Sequence, residues 1–192
     1  MTDRAASNVL IDNWSGKRSA LLDLLEIAGF TLVTALLAQV RIPLPFTPVP
    51  ITGETLGVLL AGVVLGARRA FLSQVLYLAA GAAGLYVFAG GTLTGPTAGY
   101  LWCFPLAAVV TGWLVERGAA RRSLTLAGAL LLADACILAG GTLWLRSFLG
   151  VSLGRALRLG AAPFWVGDLF KIALVAALMV PALKKSRRLS RP

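Results

Sequence analysis

Six apolar stretches, broken by Pro, Gly and Arg, leave this chain only the interior of a bilayer as a solvent to fold in. They run roughly over residues 24–40, 54–67, 69–84, 99–115, 124–145 and 163–183. A hydrocarbon core about 30 Å thick takes ~20 helical residues, with a working range of about 17–25. The second and third stretches fall short, which implies a thin spot or ends completed by neighbouring turns. Of 192 residues, 58% are hydrophobic and 14% charged, and the mean hydropathy is +0.82. So few polar residues cannot cover that much apolar surface, and lipid must cover it instead. We therefore expect an all-α integral membrane protein with six transmembrane helices. We expect a single membrane domain over 1–192: a polar tail at 1–20, a six-helix bundle at 24–183 and a basic tail at 184–192.

In a soluble protein, the net charge of +10 would raise the question of nucleic acid. Here the cations gather at span ends, where cytoplasmic loops collect Lys and Arg. With alternating sides, thirteen fall on one face: Arg4, Lys17, Arg18, Arg68, Arg69, Arg117, Arg121, Arg122, Lys184, Lys185, Arg187, Arg188 and Arg191. Four fall on the other, namely Arg41, Arg146, Arg155 and Arg158. The thirteen are expected in the cytoplasm with both termini. The basic tail is expected to touch anionic lipid, and no nucleic acid partner is expected. The first twenty residues are polar, with no apolar core before a small-residue cleavage site, so no cleavable signal peptide is expected. The first span then doubles as the insertion signal.

The chain has no His, which removes imidazole catalysis, the commonest zinc ligand and a His-based proton relay. Cys103 and Cys136 fall within predicted spans and read as small buried apolar residues, not as a disulfide or metal pair. No GxSxG, HExxH or P-loop pattern is present, so no hydrolase site, cofactor or ATP binding is signalled. Energy for any uphill movement has to come from elsewhere.

The loops opposite the basic side have an unusual composition. RIPLPFTPVPITGET follows the first span, and its four prolines, Pro43, Pro45, Pro48 and Pro50, forbid helix and force an extended segment. GAAGLYVFAGGTLTGPTAGY follows the third, where Gly84, Gly90, Gly91, Gly95 and Gly99 with Pro96 allow tight turns and close backbone approach. Each is readable as a rigid connection; together they read as a lid and rim. Tyr86, Phe88, Tyr100, Trp102, Trp144 and Trp165 fall on the same side, as an aromatic belt or as walls for an apolar ligand.

Ionisable residues inside the spans are the sharper clue, since each costs about 2.5–3.5 kcal/mol at the bilayer centre. They are Glu54, Asp134, Asp168 and Lys171. Asp168 and Lys171 lie three apart and share a helix face, as a structural ion pair or as ligand contacts. At a rise of ~1.5 Å per residue from Pro163, Asp168 lies about 7 Å and Lys171 about 12 Å below the outer end. Glu54 opens the second span at the same end. Asp134, mid-way along the fifth span, has no such companion in sequence and is expected to hydrogen-bond to another helix.

PFTPVPITGETLGVLLAGVVLGARR, YLAAGAAGLYVFAGG followed by GPTAGY, and GDLFK together resemble the BioY family, the biotin-specific membrane components of energy-coupling factor (ECF) transporters. The resemblance covers residues 24–183. It implies a six-helix substrate-binding component with cytoplasmic termini and a ligand pocket near the outer surface, capped by the loops after spans one and three. It implies high-affinity biotin binding and uptake, and docking on a membrane partner coupled to two ATPases. Asp168, Lys171, Tyr100, Glu54, Gly90, Gly91 and Gly99 are the residues it places at the pocket. Biotin offers ureido N–H donors, a ureido carbonyl, an apolar body and a carboxylate, for which carboxylates, an ammonium and a phenol are suitable partners.

The chain departs from the family pattern at Glu54, where many members have Gln, and at Leu101, where some have a basic residue. Its Gly-rich loop is also shorter. In the first span, Thr31 with Ala35 and Thr34 with Ala38 form small-residue pairs that serve either partner docking or packing within the bundle. Other readings are the same fold binding another small carboxylate such as a biotin precursor, and a biotin transporter without a dedicated energising module. An intramembrane enzyme using Asp168 and Asp134 would lack both a nucleophile and a His.

Overall fold

The computed structural model describes residues 9–10 and 19–189, without the side chains of 187–189. Arg4, Lys17, Arg18 and Arg191 lie outside the described residues, as does most of the segment on which the signal-peptide expectation rests. Among the described residues seven α-helices follow in chain order: α1 (Ala20–Ala38), α2 (Glu54–Leu65), α3 (Ala67–Ala82), α4 (Ala98–Glu116), α5 (Ser123–Leu149), α6 (Leu153–Gly160) and α7 (Trp165–Leu189), with a short 3-10 helix, Ala119–Arg121, between α4 and α5. Four of them, α1, α4, α5 and α7, are long and apolar enough to cross a bilayer. Among the described residues the regular structure is thus helical apart from one small ladder. Arg41–Ile42 (β1) pairs antiparallel with Ile51–Thr52 (β2), Arg41 opposite Thr52. This ladder lies in the Pro-rich segment expected to be extended, because the prolines between the strands exclude helix and the segment doubles back on itself.

α2 has 12 residues and α3 has 16, rising about 18 and 24 Å. α2 tolerates its shortness because it is the bundle's centre. Gly57, Val58, Leu59, Ala61, Gly62, Val63 and Leu65 are all buried, the pattern of a helix enclosed on most of its surface, with Leu56, Leu60 and Val64 partly exposed along one stripe. Gly66, at φ +78°, turns α2 directly into α3. Glu116 Oε1 accepts from the Ala67 N–H at 2.8 Å, satisfying a free donor at the start of α3. At the same end, Arg69 Nη1 reaches Glu26 Oε2 at 3.0 Å and Asp23 Oδ1 at 3.4 Å, fastening α3 to α1.

α1 turns Leu21, Leu24, Leu25, Leu32 and Leu36 outward, as a lipid-facing helix does. Its small residues face inward. Thr34 and Ala38 are fully buried, and a Cβ on Gly57 would stand 2.9 Å from Thr34 Cα. Thr31 Oγ1 donates to Ser73 O at 2.9 Å. The small-residue pairs of the first span are therefore used in packing α1 against α2 and α3. Cys103 and Cys136 are free thiols, only half-buried.

Candidate functional site

Buried polar groups at the loop-bearing end of the bundle have to be satisfied by each other, because most of what surrounds them is apolar. Glu54 is the first residue of α2 and 6% exposed. Thr52 Oγ1 accepts from the Glu54 N–H at 3.3 Å and donates to Glu54 Oε2 at 3.0 Å. Tyr77 Oη donates to Glu54 Oε1 at 2.5 Å, and the Ala89 N–H points to the same oxygen at 3.4 Å. One carboxylate thus ties the Pro-rich segment, α3 and the Gly-rich loop together. Phe88 packs edge-on against Tyr77, ring centroids 5.2 Å apart.

Asp168 lies in the first turn of α7, 5% exposed, where the helix N-terminus favours negative charge. Lys171, one turn on, donates to Asp168 Oδ1 at 2.8 Å and to Thr55 Oγ1 of α2 at 2.7 Å. Tyr100 of α4 donates its hydroxyl to Gly160 O at 2.6 Å and meets Phe164 edge-on at 6.3 Å.

Glu54, Thr55, Tyr100, Phe164, Asp168 and Lys171 line one void, with Leu101, Phe104 and Ile137 supplying apolar wall. The enclosed space is about 50 Å³, or about 460 Å³ with the open mouth included. A second, wider cleft of about 560 Å³ lies between the two loops, walled by Arg41, Gly90 and Gly91. It shares Pro50 and Thr97 with the void. A charged pair, a second carboxylate, a phenol ring and an apolar wall therefore sit around one opening, beneath a two-loop cover.

Four of the sequence-predicted residues, Glu54, Tyr100, Asp168 and Lys171, meet at the void. Gly90 and Gly91 line the outer cleft. Gly99 lines neither: it lies where α4 crosses α5, and a Cβ there would be 2.2 Å from Trp144 Cβ and 2.6 Å from Gly140 O. Asp134 is 5% exposed, and its Oδ1 has no hydrogen-bond partner among the described residues. That oxygen does not make the interhelical hydrogen bond expected of Asp134. The side chain instead lies within electrostatic reach of Asp168 and Lys171, because α5 brings it beneath the void one turn below Ile137.

Of the outer aromatics, Phe88 and Tyr100 are buried, while Tyr86, Trp102 and Trp165 are exposed in the manner of a belt. Sequence reasoning missed Thr55 and Tyr77. A phenol within an apolar span needs a polar partner, and that was the available signal for Tyr77.

The BioY family model matches residues 10–188. A probable biotin transporter BioY of Pyrococcus horikoshii is 38% identical over 152 residues, covering 77% of this chain and 87% of that protein. The biotin transporter BioY of Rhizobium etli is 36% identical over 170 residues, covering 82% and 90%. That of Thermotoga maritima is 36% identical over 167 residues, covering 84% and 95%. The fold is similar to the crystal structure of the S-component for biotin from an ECF-type ABC transporter. The TM-score is 0.76 at 24% identity, over 90% of this chain and 94% of that one.

Proposed function

The chain belongs to the BioY family, and on that premise we propose that it binds biotin and carries it across the cytoplasmic membrane as the substrate-specific component of an ECF-type transporter. It is a transport protein, not an enzyme. The carrying observation is the void beneath the two loops, where Asp168, Lys171 and Glu54 stand against an apolar wall. Asp168 and Glu54 accept from ureido N–H groups, Lys171 donates to an oxygen of the ligand, and Tyr100 with Phe164 flanks the bicyclic body. Gly90 and Gly91 belong to the cover.

The enclosed space is far below the ~300 Å³ at the lower end of small-molecule sites, so a bound ligand also fills the open mouth between the loops, which close on it. Six helices, α1–α5 and α7, cross the membrane, with the basic face and both termini in the cytoplasm and the void near the outer surface. The partners are the lipid bilayer, an ECF membrane subunit and two ATPase subunits.

Isothermal titration of the purified protein in nanodiscs tests the ligand. Biotin should bind tightly, desthiobiotin more weakly, and lipoate, which has no ureido group, not measurably. Tighter binding of desthiobiotin would reassign the substrate to a precursor, and recovery of chemically altered biotin would overturn the assignment as a transporter. Co-purification with ATPase subunits from the native membrane tests the energised arrangement, and their absence would favour a transporter working alone.

A further inference from the structure

The charge of Lys171 is already paired with Asp168, and with Thr55 also accepting from it one donor remains for a neutral ligand oxygen, which leaves an anionic group of the ligand short of a cation. Among the described residues that line the void or the cleft, the only other cation is Arg41. Its backbone is fixed by the β1–β2 ladder, opposite Thr52, and the Gly53 N–H donates to Val40 O at 3.0 Å beside it. The guanidinium turns towards the Gly-rich loop, where Nη1 donates to Ala89 O at 3.4 Å. Gly90, at φ +84°, makes room for it: a Cβ there would stand 2.2 Å from Arg41 Nη1. No carboxylate pairs with Arg41 among the described residues, although Glu54 lies one shared wall away in the void. The cleft thus holds one guanidinium, exposed at the mouth and bonded to the Gly-rich loop, with most of its five donors unused.

We infer that Arg41 is the specificity-determining anchor for the ligand's carboxylate, reading it at the mouth while Asp168 and Lys171 hold the ureido end inside. The inference rests on the biotin reading. Pro50 and Thr97 line both openings, so the void that holds the ion pair and the cleft that holds the guanidinium adjoin. A planar fork matches a carboxylate in two parallel hydrogen bonds, which a neutral amide or an ester cannot reproduce. Because Arg41 contacts both loops, a carboxylate seated on it also draws the cover shut.

The test is a cycle of R41Q against biotin and biotin amide, by titration in nanodiscs. Wild type should prefer biotin over its amide by roughly tenfold or more, and R41Q should lose that preference, its affinity falling about tenfold for biotin and far less for the amide. Equal losses for both ligands would show that Arg41 acts only by folding the loop, and an unchanged biotin affinity would show that the carboxylate is read elsewhere. Either result overturns this inference while leaving the biotin assignment standing. Failure of wild type to bind either ligand would remove the biotin assignment, and the inference with it.

Discussion

Lys171 Nζ is 2.8 Å from Asp168 Oδ1 and 2.7 Å from Thr55 Oγ1, so its charge is satisfied within the protein before any ligand arrives. Removing one partner strands the other, at a cost of about 3–5 kcal/mol for a buried pair. Lys171→Ala should therefore lose both thermal stability and biotin binding, and the single variant does not separate the two roles. Asp168→Asn with Lys171→Met takes away both charges and should recover much of the stability. Biotin binding that stays absent in the double variant assigns the pair to the ligand; binding that returns with stability makes it structural. Glu54 poses a different question, since Tyr77, Thr52 and Ala89 already donate to it. Glu54→Gln keeps an acceptor of the same reach and should keep most of the affinity. Glu54→Leu leaves buried donors unmatched and should cost about 1–3 kcal/mol, or roughly 5- to 150-fold in Kd, with a lowered Tm. Equal affinities for the two variants would take Glu54 out of ligand binding. The Asp168–Lys171 pair was legible because three residues of one helix fix a shared face. The Tyr77–Glu54 bond was not, because its partners are brought together only when α2 and α3 pack.

α6 is the element whose contribution is easiest to overlook, eight residues lying between two long helices. Its final carbonyls have no partners within the helix, and the site supplies them. Thr47 Oγ1 of the Pro-rich segment donates to Leu159 O at 2.9 Å, and Tyr100 Oη donates to Gly160 O. Thr47 Oγ1 also accepts from the Val49 N–H at 3.3 Å, bracing the segment next to the void. Thr47→Val keeps the shape and removes the hydroxyl, a loss of about 0.5–1.5 kcal/mol. If this bond holds the cover down, biotin should leave about 2- to 10-fold faster, as stopped-flow tryptophan fluorescence would record, while an unchanged off-rate would mean the cover is held elsewhere. The long helices were readable from sequence because apolar runs of that length have few other uses. α6 escaped because Leu153, Ala156 and Leu157 are interleaved with Gly154, Arg155 and Arg158, so that the stretch carries no apolar run. The β1–β2 ladder escaped because two residues per strand are too few for an alternating pattern.

The molecule as a whole is a bundle with α2 at its centre, most of its surface covered by other helices and only the stripe Leu56, Leu60 and Val64 partly exposed, and this is how twelve residues suffice there. Its two ends are chemically unlike. One carries Arg68, Arg117, Arg121 and Arg122 around tight turns; the other carries the prolines, the glycines, the void and the cleft. A positive-inside orientation puts the first end in the cytoplasm, and only then does the cover open to the medium from which a nutrient is taken. The sign of the whole proposal therefore rests on topology, and topology is measurable. With Cys103 and Cys136 replaced by Ala to remove the half-buried native thiols, a single cysteine at Thr92, which is exposed on the Gly-rich loop, should react with an impermeant maleimide in intact cells. A single cysteine at Arg121, exposed in the turn before α5, should react only after the membrane is opened. The reverse pattern would place the void against the cytoplasm, where it would release biotin instead of capturing it, and would overturn the direction of transport while leaving the fold intact.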